Sequence, residues 1–138
     1  MNRQVVKVVP APVPYIYDAK VIKVVDGDTV HLEVSRAFEY EIDFGFHQRE
    51  TFTIVRSARE KFRLARINAP EINTKEGQDA SIALNMVLAK SKLTAKTGKQ
   101  DKYGRWLVEL YVVQDGKPDL NVNDWMVTEK YAVPYTEK

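Results

Sequence analysis

The chain has 138 residues, enough for one hydrophobic core and not two. A net charge of +2 and a pI near 8.7 permit nucleic acid as a partner without the lopsided basic footprint of a dedicated binder. With no cysteine, disulfides, thiolate catalysis and cysteine-ligated metals are excluded.

Residues 1–14 are apolar but carry Pro10, Pro12 and Pro14, which predicts an extended arm. No long apolar run follows Arg3, so neither a signal peptide nor a membrane span is expected, and a cytoplasmic setting is favoured over a secreted one. Residues 15–138 are read as one domain.

A β-branched run from Tyr15 reaches Val25 and is interrupted at Asp26-Gly27-Asp28-Thr29. Val30, Leu32 and Val34 alternate with His31 and Glu33, and from Phe38 to Phe46 apolar and polar residues alternate again. Phe38, Tyr40, Ile42, Phe44 and Phe46 fall on one face, opposite Glu39, Glu41 and Asp43. A turn over Gly45 to Arg49 leads into a returning arm, Glu50 to Ile67. The two arms predict one long β-ribbon, bulged near Ser35 to Ala37 and Ser57 to Arg59. After Asn68-Ala69-Pro70-Glu71, Gly77 precedes a predicted helix over Asp79 to Ser91, with Ile82, Ala83, Met86, Val87 and Ala89 at helical spacing. Strands are predicted at Lys92–Thr97 and Trp106–Val113, separated by a polar loop. A second helix is predicted over Val122–Lys130, capped by Asn121 or Asn123.

Three clusters could carry chemistry. Asp26-Gly27-Asp28 alone reads as a hairpin turn. Asn68-Ala69-Pro70-Glu71 alone is equally a strand terminator, with Pro70 holding Ala69 extended. Asp101-Lys102-Tyr103-Gly104-Arg105 reads as a polar turn. Together they offer carboxylates (Asp28, Glu71), an amide oxygen (Asn68) and guanidiniums (Arg63, Arg105). Oxygen ligands suit a hard cation, and guanidiniums answer charge developing on a phosphodiester. His31 and His47 stand at no metal-ligand spacing.

In their order, Asp26-Gly27-Asp28-Thr29, then Phe62-Arg63-Leu64 leading to Pro70-Glu71, then Asp101 to Arg105 resemble the signature blocks of the staphylococcal-nuclease family. The resemblance spans about Tyr15 to Tyr135 and is poorest over Ser35 to Lys61. Asp43-Phe44-Gly45-Phe46 is similar to the ribbon tip of short phage-encoded relatives.

The resemblance implies an α+β fold: an OB-like five-stranded β-barrel with two helices and an extended β-ribbon. It implies a calcium-dependent nuclease cutting DNA and RNA with little sequence preference, leaving 3′-phosphates. Calcium (Ca2+) would be held by Asp28, Asn68 and the Ala69 carbonyl, with Asp26 as an acidic supporter. Glu71 would hold the attacking water, Arg63 and Arg105 the scissile phosphate. Lys102 and Tyr103 would flank substrate phosphates, and Tyr135 (less so Tyr131) would stack on a base.

Two departures stand out. The family usually carries aspartate where this chain has Asn68, and the C-terminal helix of its best-known member has no counterpart before Lys138. The alternative function is a weakly active or inactive barrel that binds nucleic acid or protein. The aromatic face of residues 35–61 predicts self-association or a protein partner.

Overall fold

The computed structural model describes residues 7–8, 15–89 and 92–136. The remainder of the predicted arm, and Ser91 at the end of the predicted first helix, lie outside the described residues.

Among the described residues, nine strands and two helices follow in the order β1 (Lys7–Val8), β2 (Tyr15–Asp26), β3 (Thr29–Gly45), β4 (Gln48–Leu64), β5 (Ile67–Asn68), α1 (Lys75–Leu88), β6 (Leu93–Gln100), β7 (Trp106–Val112), β8 (Leu120–Asn121), α2 (Val122–Thr128) and β9 (Val133–Pro134). β3, β2, β6, β7 and β4 are neighbours in that order, and the β3–β4 pairing closes the ring. This is the five-stranded OB-like barrel that the motifs implied. Its one parallel seam is β4 on β7, at Phe62–Leu64 against Trp106–Val108.

Alternation decides what fills the ring. Val30, Leu32 and Val34 of β3, Phe62 and Leu64 of β4, Leu93 and Ala95 of β6, and Val108 and Leu110 of β7 are all buried in one core. Helix α1 adds Ala80, Leu84 and Leu88 to it, and α2 adds Val122 and Met126.

A buried amide ties α2 to the barrel seam. Asn123 is fully buried; its Oδ1 accepts from the Leu110 N–H at 3.1 Å. Its Nδ2 donates to the carbonyls of Ala65 and Val108, each at 2.9 Å. The Val108 carbonyl also accepts from the Ala65 N–H at 2.9 Å, so the groups that depend on Asn123 are the Leu110 N–H and the Ala65 carbonyl; a buried backbone group left without a partner costs about 1–3 kcal/mol. The α2 cap is Asn121, whose side chain accepts from Asp124 N–H at 3.0 Å.

The ribbon differs from expectation in two ways. Its register runs unbroken from Thr29↔Arg63 to Asp43↔Arg49, so the bulges predicted near Ser35 and Ser57 are absent. The shifts fall instead in β2, between Val21 and Lys23 and between Val24 and Asp26, bending that strand around the closing barrel. The returning arm ends at Leu64 rather than Ile67, because Arg66 has φ +68° and starts a new strand, β5, paired with β9. At the tip, Phe46 and His47 both have positive φ, the geometry of a two-residue hairpin turn.

β2 pairs with β3 only as far as Ser35. Beyond it, β3 and β4 project as a ribbon for about ten residues, roughly 33 Å, flanked by β1 at Tyr40 and Glu41. The even-numbered face that forms core inside the barrel continues along this projection. Phe38 sits across from Ile54 and Tyr40 across from Phe52, and Ile54, Phe52 and Phe44 are exposed.

Helix α1 begins four residues earlier than predicted. Thr74 is its N-cap, its hydroxyl accepting from Gly77 N–H at 3.0 Å, so Gly77 lies inside the first turn. The buried face is Gly77, Ala80, Ala83, Leu84 and Leu88, whereas Ile82 and Met86 point to solvent.

Candidate active site

Two hairpin-end loops of the barrel meet. One is the β2–β3 turn at Asp26 to Thr29, the other the β6–β7 loop at Asp101 to Arg105. These are the equivalents of the two loops through which OB barrels bind oligonucleotides. A hydrogen bond from Arg105 Nη1 to Thr29 Oγ1, at 3.3 Å, joins them.

The Asp-Gly-Asp turn is more than a reversal of the chain. A Cβ on Gly27 would stand 2.7 Å from the Cβ atoms of both Ala69 and Ala80, so only glycine lets the turn lie between the Asn68–Glu71 segment and α1. That approach brings Asp28 Oδ2 to 2.8 Å from the Ala69 N–H. Asp28 is buried, and its Oδ1 accepts from the Thr29 hydroxyl at 3.0 Å. Asp26 Oδ1 accepts from the Asp28 N–H at 3.0 Å.

Arg63 lies in the middle of this cluster, 5% exposed. Its Nη2 donates to Asn68 Oδ1 at 3.3 Å and stands 3.7 Å from Asp28 Oδ2, while Nη1 donates to the Leu64 carbonyl at 3.3 Å. Its guanidinium carbon is 5.0 Å from the centre of the Tyr135 ring. Tyr135 is brought there by β9 pairing with β5 and by its own N–H on the Arg66 carbonyl, at 2.8 Å. Tyr131 packs instead on Trp125, with ring centres 5.9 Å apart.

Asp101 organises the second loop, a role that its sequence position did not reveal. It is buried and accepts from Tyr103 N–H at 2.9 Å, Arg105 N–H at 3.0 Å and Arg105 Nε at 2.8 Å. Burial pushes its pKa up, but these N–H groups and the Arg105 charge outweigh burial and hold it below the ordinary value. The readable signal was an aspartate two and four residues ahead of the N–H groups it binds, as in an Asx-turn. Arg105, held at its Nε, presents the rest of its guanidinium at the loop junction. The Tyr103 ring lies 5.4 Å from Arg105 and 5.3 Å from Lys102 Nζ, and is largely exposed.

Glu71 follows Pro70 out of the cluster. It is exposed and makes no ion pair among the described residues. Its carbonyl is fixed by Thr74, accepting from the N–H at 3.0 Å and from the hydroxyl at 2.6 Å.

Asp26, Asp28, Arg63, Asn68, Ala69 and Tyr135 are therefore linked by direct contacts, Arg105 joins them through Thr29, and Glu71, Lys102 and Tyr103 stand at the margin. No group of three or more histidine, cysteine or acidic side chains able to hold a metal occurs among the described residues. The donors at hand are all oxygens, and two of them, Asp28 Oδ2 and Asn68 Oδ1, already converge on one positive centre in Arg63. That chemistry fits a hard cation, with a low ligand charge.

Asp26 is pushed up from 3.8 to about 6, first by burial and then by the neighbouring Asp28. The folded protein without metal thus holds this proton more tightly than the unfolded chain does. The resulting stability is full below about pH 4 and is lost as pH rises through about 6. Asp26→Asn removes the effect. In urea unfolding with chelator, the stability of the wild type relative to this variant is expected to fall between pH 4 and pH 7. A difference independent of pH would refute the assignment.

A sequence model of the family described as staphylococcal nuclease homologue matches residues 61–138. The Asp26–Thr29 turn lies before that stretch and reaches it through Asp28 on Ala69. No curated protein matches the chain. No helix among the described residues is long and apolar enough to cross a membrane.

Proposed function

Since the chain belongs to the staphylococcal nuclease homologue family, we propose that it is a calcium-dependent phosphodiesterase that hydrolyses single-stranded DNA and RNA. What supports the reading is the joining of the two OB loops by Arg105 on Thr29. Through that contact Arg105 of the β6–β7 loop and Arg63 of β4 lie beside one oxygen cluster.

Asp28, the Asn68 amide and the Ala69 carbonyl would hold calcium, with Asp26 as a further acidic neighbour. When bound, calcium would neutralise the phosphodiester charge. Arg63 and Arg105 grip the phosphate oxygens and bond more strongly as charge develops there. Glu71, open to solvent and without an ion pair among the described residues, orients the attacking water or takes its proton. Lys102 and Tyr103 flank neighbouring phosphates. Tyr135 stacks on Arg63 and offers its other face to a base.

The deciding assay is digestion of single-stranded DNA and RNA with calcium, with magnesium and with chelator. Calcium-stimulated cleavage, abolished by chelation, is expected, and its absence from pH 7 to about 10 would exclude catalysis. Asn68 carries no charge, and ligand charge tunes affinity at oxygen sites. Asn68→Asp should therefore lower the calcium needed for half-maximal cleavage, and Asn68→Ala should raise it. Equal requirements in all three proteins would remove Asn68 from the metal site.

A second reading, protein contact through the ribbon, is favoured by the exposed Phe44, Phe52 and Ile54. In it the ribbon is flanked by Lys7 and Val8, which pair with Glu41 and Tyr40 of β3. Self-association should appear in light scattering and be lost in Phe52→Ser with Ile54→Thr. A monomer at high concentration rules out self-association.

A further inference from the structure

Where the ribbon leaves the barrel, the interior face opens into a cavity of about 420 Å³, a size suited to a small-molecule or nucleotide unit. Tyr15, Tyr17, Phe38 and Trp106 line it together with Arg36 and Arg56. None of these side chains belongs to the cluster around Asp28.

Two features of this mouth are unexplained by the fold. The Arg36 guanidinium lies 5.8, 5.6 and 5.6 Å from the ring centres of Tyr15, Tyr17 and Phe38, and its buried Nη1 has no hydrogen-bond partner among the described residues. An orphaned charged donor is costly, so an acceptor belongs there. Second, Arg36 is the direct cross-strand partner of Arg56, and like charges directly opposite destabilise a sheet. Glu60, the carboxylate of the same cavity, is four residues from Arg56 along β4, about 13 Å, and pairs with neither arginine among the described residues.

We propose that the barrel mouth is a second nucleotide subsite for single-stranded nucleic acid. One backbone phosphate sits between Arg36 and Arg56, and its base lies against the Trp106 and Tyr17 rings. The phosphate supplies both missing items, an acceptor for Nη1 and a negative charge between two arginines opposite each other across the strands. The rings supply a stacking surface indifferent to base identity. Ala58, at the mouth, and Arg63 are five residues apart on β4, roughly 17 Å. That is within reach of the four or more nucleotides that an OB barrel covers. The subsite rests on the nuclease reading for its substrate class, and its role is to hold the strand several nucleotides from the scissile phosphate.

The chain has two tryptophans, and Trp125 packs on Tyr131 away from the cavity. Trp125→Phe therefore leaves Trp106 as a reporter. In chelator, where no cleavage occurs, an eight-nucleotide single strand should quench Trp106 emission. An abasic strand of the same length should bind with little quenching. Arg56→Gln, an exposed change, and Arg36→Met should each weaken binding about tenfold. Each should also lower the slope of log affinity against log salt by about 0.7. Arg36→Lys should restore the slope and not the full affinity. Binding of the eight-mer without any change in Trp106 emission overturns the proposal, as does unchanged affinity in Arg56→Gln. Full quenching by inorganic phosphate alone would reduce the mouth to an anion site and overturn it too. Because the readout needs neither calcium nor cleavage, failure of the catalytic reading leaves it intact, and the reverse also holds.

Discussion

Glu71→Ala and Arg105→Ala are each expected to lower turnover of single-stranded DNA by about 10²- to 10³-fold, the usual loss for one transition-state partner. Their surroundings make them the cleanest variants of the cluster. Glu71 is exposed and its side chain pairs with nothing among the described residues, so its removal should cost almost no stability. Arg105 is partly exposed, and Asp101 keeps the N–H groups of Tyr103 and residue 105 when the guanidinium is lost. Arg63 is a poorer test. Removing it would leave the buried Asp28 and the Asn68 amide without their shared donor, confounding chemistry with folding. Single-turnover rates beside thermal melts decide the matter. Variants that melt like the wild type and cleave within about threefold of it would remove these residues from the catalytic step.

The parts of the fold that were legible were those where one periodicity dominates. The alternation from Val30 to Phe44 named a strand and its inner face, and the structure keeps that face continuous from core to ribbon. What alternation cannot say is where cover ends. Val34 is buried and Phe44 is exposed, because β2 pairs no further than Ser35, and that is a matter of partner length. The unbroken ribbon register follows from the same continuity, since a bulge would have turned the apolar face over.

The first helix was misplaced for a different reason. Gly77 is a poor helix former, and local propensity puts it outside. Tertiary packing overrides that preference, because the turn must approach the Glu71 backbone. Ile82 and Met86 fit helical spacing but Leu84 and Leu88 hold the core, a choice made by the barrel end and invisible to a count of apolar positions. In the site, side chains with charge and motif order were readable. Asp101 and Asn123 were not, because both act on backbone groups, and the partners of such bonds are fixed only by the fold.

Gly77→Ala tests whether that helix position serves the site. In an exposed helix the change would stabilise by up to about 1 kcal/mol. Here the added Cβ would stand 1.8 Å from the Glu71 carbonyl oxygen and 2.9 Å from that of Pro70. Both are backbone atoms, so no rotamer change relieves the overlap and the segment must shift by more than 1 Å. Overpacking of this kind costs about 1–3 kcal/mol or more, which outweighs the propensity gain. The same shift displaces Glu71 relative to Arg63 and Arg105, the arginines proposed to grip the phosphate, and a 1 Å misplacement costs about 10²-fold in rate. The expected variant is therefore folded, less stable by about 2 kcal/mol, and slowed about 10²-fold, with calcium affinity less affected because Asp28 and Asn68 lie before the shifted bond. Gly98→Ala is the control, since its Cβ would meet nothing closer than the Leu107 carbonyl oxygen at 3.9 Å. Denaturant unfolding and single-turnover cleavage of both variants give the answer. A Gly77→Ala protein as stable and as fast as Gly98→Ala would show that the close approach of α1 to Glu71 does not position the catalytic carboxylate.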